Sequence, residues 1–212
     1  ALNKVLHEIG EQGYVEPSKE LFSSFIESWF TSHYEKRIKD TTASNAHSLI
    51  NKHLIRENPF ANKPLSKITT EDIDAFYNLK IDEEYSSSYI RKMHQMLNQA
   101  FTQAVKWKRI KYNPVTDADP PAVKKEEMKI WSYDEINTFL KHCEGEKHYL
   151  TFFLAIYTGM RRGELLGLKW SDIDLENKTI HIQRSLAYIP KKGYVLTSTK
   201  TRNSKRIVPI SD

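Results

Sequence analysis

Residues 117–128 read DADPPAVKKEEM, and this stretch limits the fold of the chain more than any other. Adjacent prolines exclude a helix interior or a central strand, few large apolar residues are available to bury, and a charge run follows. Such a segment reads as a linker, so the sequence on either side has to fold separately. On the amino-terminal side the apolar residues fall at helical spacing. Residues 20–38 place Leu21, Phe22, Phe25, Ile26, Trp29 and Phe30 on one face, and residues 41–57 turn Ala46, Leu49, Ile50 and Leu54 inward. Pro59 and Pro64 then break the chain. Thr69 is a natural N-cap with Asp72 placed to reach back to it, which predicts a short helix to about Leu79. A longer helix from Ser86 to about Trp107 carries Ile90, Met93, Leu97, Phe101 and Val105 as its stripe and ends before Asn113-Pro114. Trp107 is expected to close that helix within the core rather than to stack on a base.

Beyond the linker, Ser132 and Glu135 form a capping-box pattern ahead of Ile136, Phe139 and Leu140. Residues 147–157, KHYLTFFLAIY, are apolar nearly all round, which predicts a buried central helix. Thr158-Gly159 stops it, and 161–168 restarts as a short helix. After Trp170 the period changes to alternation: 179–183 is a strand, Lys192-Gly193 supplies a turn, and 194–199 and 206–210 are further strands. The expected fold is mainly α with a small antiparallel sheet (α+β). A four-helix domain over 20–116 is followed by a linker over 117–130 and a mixed domain over 131–212.

The chain is 39% hydrophobic and 11% aromatic, enough for packed cores, and no stretch approaches the roughly 20 apolar residues that span a bilayer. Its first residues, ALNKVLHEIGEQG, are amphipathic and lack the apolar region of a signal peptide, so a cytoplasmic location is expected. A single cysteine, Cys143, excludes a disulfide framework and a cysteine-based metal site, and reads as a half-buried reduced thiol. Net charge is +5, but its distribution says more than its total. Residues 85–116 and 178–211 contain no acid and carry many lysines and arginines, the footprint of a polyanionic partner. Two solvated basic faces remain the alternative. An RNA or membrane-surface binder has only the charge in its favour, since no RNP-type aromatic motif or exposed basic amphipathic helix is present.

The most informative segment begins at Thr158 and reads TGMRRGELLGLKWSDI. A glycine-marked break delivers an arginine to the first turn of a new helix, where free N–H groups and the positive dipole end also favour an anion. Glu164 lies one turn after Arg161, close enough to orient its guanidinium or to cap the helix, whereas Arg162 is rotated about 100° away. On the residues alone, a phosphate site and a surface ion pair stand level.

This segment, followed by a hairpin and by Thr199-Lys200-Thr201 ahead of Arg206-Ile-Val-Pro-Ile, resembles the first half of the catalytic domain of the tyrosine recombinases, the phage and transposon integrases. Similarity extends back to about residue 20, through Leu65-Ser-Lys-Ile-Thr, and there resembles the family's SAM-like core-binding domain. The resemblance implies that Arg161 is catalytic, that Glu164 supports it, and that Lys200 protonates the 5′ oxygen leaving group. It also implies double-stranded DNA as the partner, attack by a tyrosine, a 3′-phosphotyrosine intermediate, no metal or cofactor, and a tetramer on paired DNA sites for the whole enzyme. With duplex DNA as the implied partner, Ser44, Asn45 and Lys52 on the second helix and Arg91, Lys92, Lys108 and Arg109 along the fourth are the expected contacts, with Lys124, Lys125, Arg202 and Lys205 nearer the linker and the last strand. The nucleophilic tyrosine and a later His-x-x-Arg are then expected beyond residue 212. Residues 1–19 are expected to be the end of a helix leaving an arm-binding domain. The chain would thus be an inactive, monomeric DNA-binding fragment of an enzyme encoded by a phage or other mobile element in a bacterial host. His181-Ile-Gln-Arg184 fits the same motif but falls on an alternating strand, where residues at that spacing face opposite sides. Tyr188 and Tyr194 read as hairpin residues. The rival is a non-catalytic helical DNA-binding or regulatory protein that uses Arg161 only as a phosphate clamp.

Overall fold

A computed structural model describes residues 19–124, 127–198 and 205–210, so Lys125, Lys200, Arg202 and the expected helix end before residue 19 lie outside the described residues. The chain divides into two compact units, 1–126 and 127–212. In the first, α1 (Phe22–Trp29) runs on through a π-helical turn, Phe30–Tyr34, and a 3₁₀ turn, Glu35–Arg37. Helix α2 (Asp40–Leu49) likewise continues into a π-helical segment, Ile50–Arg56. A 3₁₀ turn, Leu65–Lys67, precedes α3 (Thr70–Asp82), and α4 (Ser87–Lys106) completes the unit.

Caps set these boundaries. The Thr69 hydroxyl accepts from the Asp72 amide at 3.3 Å while the Asp72 carboxylate accepts from the Thr69 amide at 2.9 Å, a reciprocal box that satisfies two otherwise orphaned donors. The Asp72 carboxylate also receives Lys63 Nζ at 2.7 Å. Inside, Phe22 stacks on Phe101 at 5.6 Å and meets Phe60 edge-on at 5.1 Å, and Phe60 meets Phe76 at 5.9 Å. Full burial of each such ring stabilises the unit by about 1.5–3 kcal/mol relative to exposure. Two sequence expectations fail here. Leu21 is exposed, because it caps α1 in extended conformation and bridges to Pro64 instead of joining the stripe. Trp107 caps α4 and is 39% exposed, touching Phe25 and His33 by its edge from outside the core. The start of the expected linker is also docked: Ala118 is buried, the Asp119 amide donates to Asp74 at 2.9 Å, and Arg91 Nε donates to the Pro121 carbonyl at 2.8 Å.

The second unit begins with α5 (Tyr133–His142), boxed by Ser132 and Glu135, followed by α6 (Tyr149–Thr158) and the short α7 (Arg162–Leu166). A 3₁₀ turn, Trp170–Asp172, leads into β1 (Ile173–Asp174), β2 (Thr179–Ile182), β3 (Arg184–Ile189), β4 (Gly193–Ser198) and β5 (Arg206–Pro209). The strands form two sheets rather than one. An antiparallel sheet of order β1-β2-β5 pairs Ile180 with Val208, and a separate β3–β4 hairpin pairs Arg184 with Ser198. Met160, Ile180 and Ile182 are the buried centre.

Helix α6 corrects the expectation of a buried central helix: none of its residues is buried, and Leu150, Phe152 and Tyr157 are exposed. It meets α5 through Phe152 against Phe139 at 5.5 Å and the core through Leu154, and its remaining residues are half-buried or exposed. An apolar circumference buries a helix only where other elements surround it.

Candidate functional site

Gly159, with φ of 61°, ends α6 in the left-handed conformation that glycine tolerates, and the chain turns to present Arg161 as the N-cap of α7. Helix α7 then lies close against β3. A Cβ at Gly163 would stand 2.4 Å from Ser185 Oγ, and one at Gly167 would stand 3.0 Å from the Leu186 amide nitrogen, so glycine is required on this face.

Glu164 is the hub of the site. It is 4% exposed, yet its carboxylate accepts from the Arg161 backbone amide at 3.0 Å and from Arg161 Nη1 at 2.9 Å. The two roles foreseen for Glu164, capping α7 and orienting Arg161, are therefore performed together. Arg206, on β5, donates to the same carboxylate through Nη2 at 3.1 Å and Nη1 at 3.3 Å. Burial works against the charge on Glu164, but the hydrogen bonds from Arg206 and Arg161 outweigh it and hold its pKa below the usual carboxylate value. Two guanidiniums on one carboxylate leave a positive surplus. The Arg161 side chain is 68% exposed, so it is anchored at one nitrogen and open at the others.

Arg206 had no role assigned from the sequence. Its pairing depends on β5 returning beside β2, with Arg206 opposite Ile182, and nothing in local spacing announces that. Arg184 is tied to Asp172, which is 3% exposed and also accepts from the Lys169 amide at 2.9 Å. His181 lies on β2 opposite Ile207 and Arg184 starts β3, so the pair occupies two sheets rather than the single strand expected. Lys205, just before β5, is exposed.

Of the expected DNA contacts on the helical unit, the fold gathers some and separates others. Asn45 and Lys52 from α2 and its π-helical extension face Lys92 from α4 across one open groove, joined by Thr42, Ser48, Gln95 and Gln99. Amides, hydroxyls and ammoniums, with no acid among the described lining residues, suit base edges and phosphates alike. Arg91 is instead engaged with Pro121, and Arg109 borders a different pocket beside Leu65 and Tyr112 while approaching Glu20 at 3.9 Å. Ser44 is half-buried outside the groove lining, and Lys108, with φ of 57°, and Lys124 are exposed elsewhere on the chain. Among the described residues, no group of His, Cys, Asp and Glu is arranged to hold a metal ion, and no helix is long and apolar enough to cross a membrane.

Comparison with known proteins agrees in both units. Residues 129–212 match the family model described as the phage integrase family, and residues 21–81 match that of the phage integrase N-terminal SAM-like domain. A XerC-like tyrosine recombinase of Caldanaerobacter subterraneus subsp. tengcongensis is 32% identical over 173 residues, 75% of this chain and 44% of that protein. The ICEBs1 integrase of Bacillus subtilis is 29% identical over 169 residues, 79% of this chain and 45% of that one. The chain thus spans less than half the length of either relative. Among solved structures, the Tn1549 transposon integrase in complex with a circular intermediate DNA shares the fold, with TM-score 0.79 and 20% identity over 91% of this chain and 61% of that chain. A lambda integrase tetramer bound to a Holliday junction gives TM-score 0.64 and 26% identity over 93% of this chain and 55% of its own.

Proposed function

The chain belongs to the phage integrase family, the tyrosine recombinases, and on that premise we propose that both of its units grip duplex DNA. In the whole protein this grip serves the breaking and rejoining of DNA strands through a phosphotyrosine intermediate. The observation that carries this reading is the Arg161 guanidinium, pinned at one nitrogen by a buried carboxylate and open at the rest. A planar guanidinium fixed in this way can hold non-bridging oxygens of a phosphodiester and stabilise the charge that builds when an oxygen nucleophile attacks phosphorus. Preorganisation matters, because a donor that needs no reorientation stabilises the transition state more than the ground state. Glu164 is the positioning residue, and Lys200 is assigned the protonation of the leaving oxygen on the strength of the family resemblance.

The helical unit supplies the second hold through Asn45, Lys52 and Lys92. Assembly of several copies on paired sites belongs to the proposal for the whole protein, and a monomer to the proposal for these residues alone. The test uses the protein as encoded and a nicked duplex substrate that traps covalent adducts. Arg161→Ala is expected to lower adduct formation by about 10²–10³-fold, the usual loss for a preorganised transition-state donor, while duplex affinity changes only a few-fold. Adducts formed at the wild-type rate would overturn the catalytic assignment and leave Arg161 a phosphate clamp.

A further inference from the structure

Beneath the groove lies a charge cluster that the proposed chemistry does not use. Lys80, in the last turn of α3, is fully buried, and its ammonium donates to Glu83 at 2.7 Å and to Glu57 at 3.1 Å. A lysine without solvent access persists only where partners replace its hydration. The aromatic rings of Tyr85 and Phe76 lie over the same ammonium, with centroids at 5.6 and 5.7 Å. Tyr85 is therefore fixed from below by Lys80 and from the sides by Tyr89, stacked at 5.6 Å, and by His53, edge-on at 5.0 Å. Its backbone amide also donates to the Lys80 carbonyl at 3.0 Å.

The hydroxyl of this held ring is the atom that matters. Lys52 Nζ donates to Tyr85 Oη at 3.1 Å and sits 5.7 Å from the centroid of the ring. Lys52, Tyr85 and Tyr89 all line the groove. A free lysine on a four-carbon stem samples many rotamers and loses side-chain entropy when a ligand fixes it. A lysine already held has less to lose. We propose that Tyr85 is a positioning residue that aims the Lys52 ammonium across the groove at a backbone phosphate of the bound duplex, with Lys80 as the fixed seat of the tyrosine ring.

This inference rests on the reading of the groove as a duplex site, and the experiment separates the two. Binding of a fluorescein-labelled mixed-sequence duplex is measured over a salt series for the unaltered chain, Lys52→Ala, Tyr85→Phe and the double variant. Tyr85→Phe keeps the ring and the packing, and thermal melting checks that each variant is folded. The expected result is that Lys52→Ala weakens binding about tenfold and lowers the salt slope by about one. Tyr85→Phe alone should weaken binding several-fold, and the double variant should bind no worse than Lys52→Ala. A structural role for the hydroxyl alone would lower the melting temperature and add to the Lys52 effect instead of disappearing into it. Additive losses, or full affinity in Tyr85→Phe when Lys52→Ala is weakened, would overturn the positioning role and leave the groove standing. Unchanged affinity in Lys52→Ala would show that its ammonium meets no phosphate and would overturn the inference, and unchanged affinity in Lys92→Ala as well would remove the groove as the duplex site.

Discussion

Glu164 ties α7 to β5 and at the same time orients an exposed arginine. Its folded pKa lies below its unfolded value, so the stability it contributes is present above the ordinary carboxylate pKa of about 4.3 and is lost as pH falls through the lower folded value. Glu164→Gln keeps an acceptor but removes the charge, and is expected to cost about 1.5–3 kcal/mol, the range for hydrogen bonds to charged groups. Denaturant titration of the variant should also show a shallower loss of stability as pH falls below the ordinary carboxylate value of about 4.3. An acid profile with the same slope as the unaltered chain would mean that the carboxylate is not the linked group. Arg161 and Glu164 were legible in the sequence because they sit one turn apart on one helix. Arg206 was not, because it lies 42 positions from Glu164 and reaches it only through the pairing of β5 with β2.

The contact between α7 and β3 is set by two glycines, and a side chain at Gly167 has no flexible neighbour to displace, since the nearest atoms are backbone. Gly167→Ala is expected to destabilise the second unit by about 1–3 kcal/mol, as overpacking does, and to lower its melting temperature while the first unit melts unchanged. A variant that melts at the wild-type temperature would show that α7 can move away from β3 without loss. The helices of the first unit were readable because their stripes and caps are local. Thr69 with Asp72 and Ser132 with Glu135 stand where the pattern placed them. Sheet order was not readable: alternation identifies a strand but not its partner, and β5 pairs with β2 rather than with β4, the strand before it in sequence. The apolar circumference of α6 misled for a similar reason, because hydrophobicity states what a helix tolerates rather than what surrounds it.

Taken as a whole, both units hold carboxylates below their usual pKa, and the described histidines with lowered values lie in the helical unit. In the helical unit burial pushes the pKa of His53 and of His94 down, so the unfolded chain takes up protons first and stability declines as pH drops below about 6.5. In the second unit Glu164 and Asp172 are held below the carboxylate range, and its loss comes only at lower pH. Acidification followed by tryptophan fluorescence is therefore expected to unfold the chain in two steps, the unit containing Trp29 first. A single transition would show that the units do not unfold independently. The π-helical turns Phe30–Tyr34 and Ile50–Arg56 carry a last consequence for how such a chain can vary between lineages. A π turn spans one residue more than an α turn between bonded groups, so a one-residue deletion inside it closes to an ordinary α-helix and leaves the flanking core in register. Tyr34 and Lys52 lie within these turns and line the groove. Gain or loss of a single codon there would reshape the lining of the proposed duplex groove while sparing the fold, a change that point substitution alone does not provide.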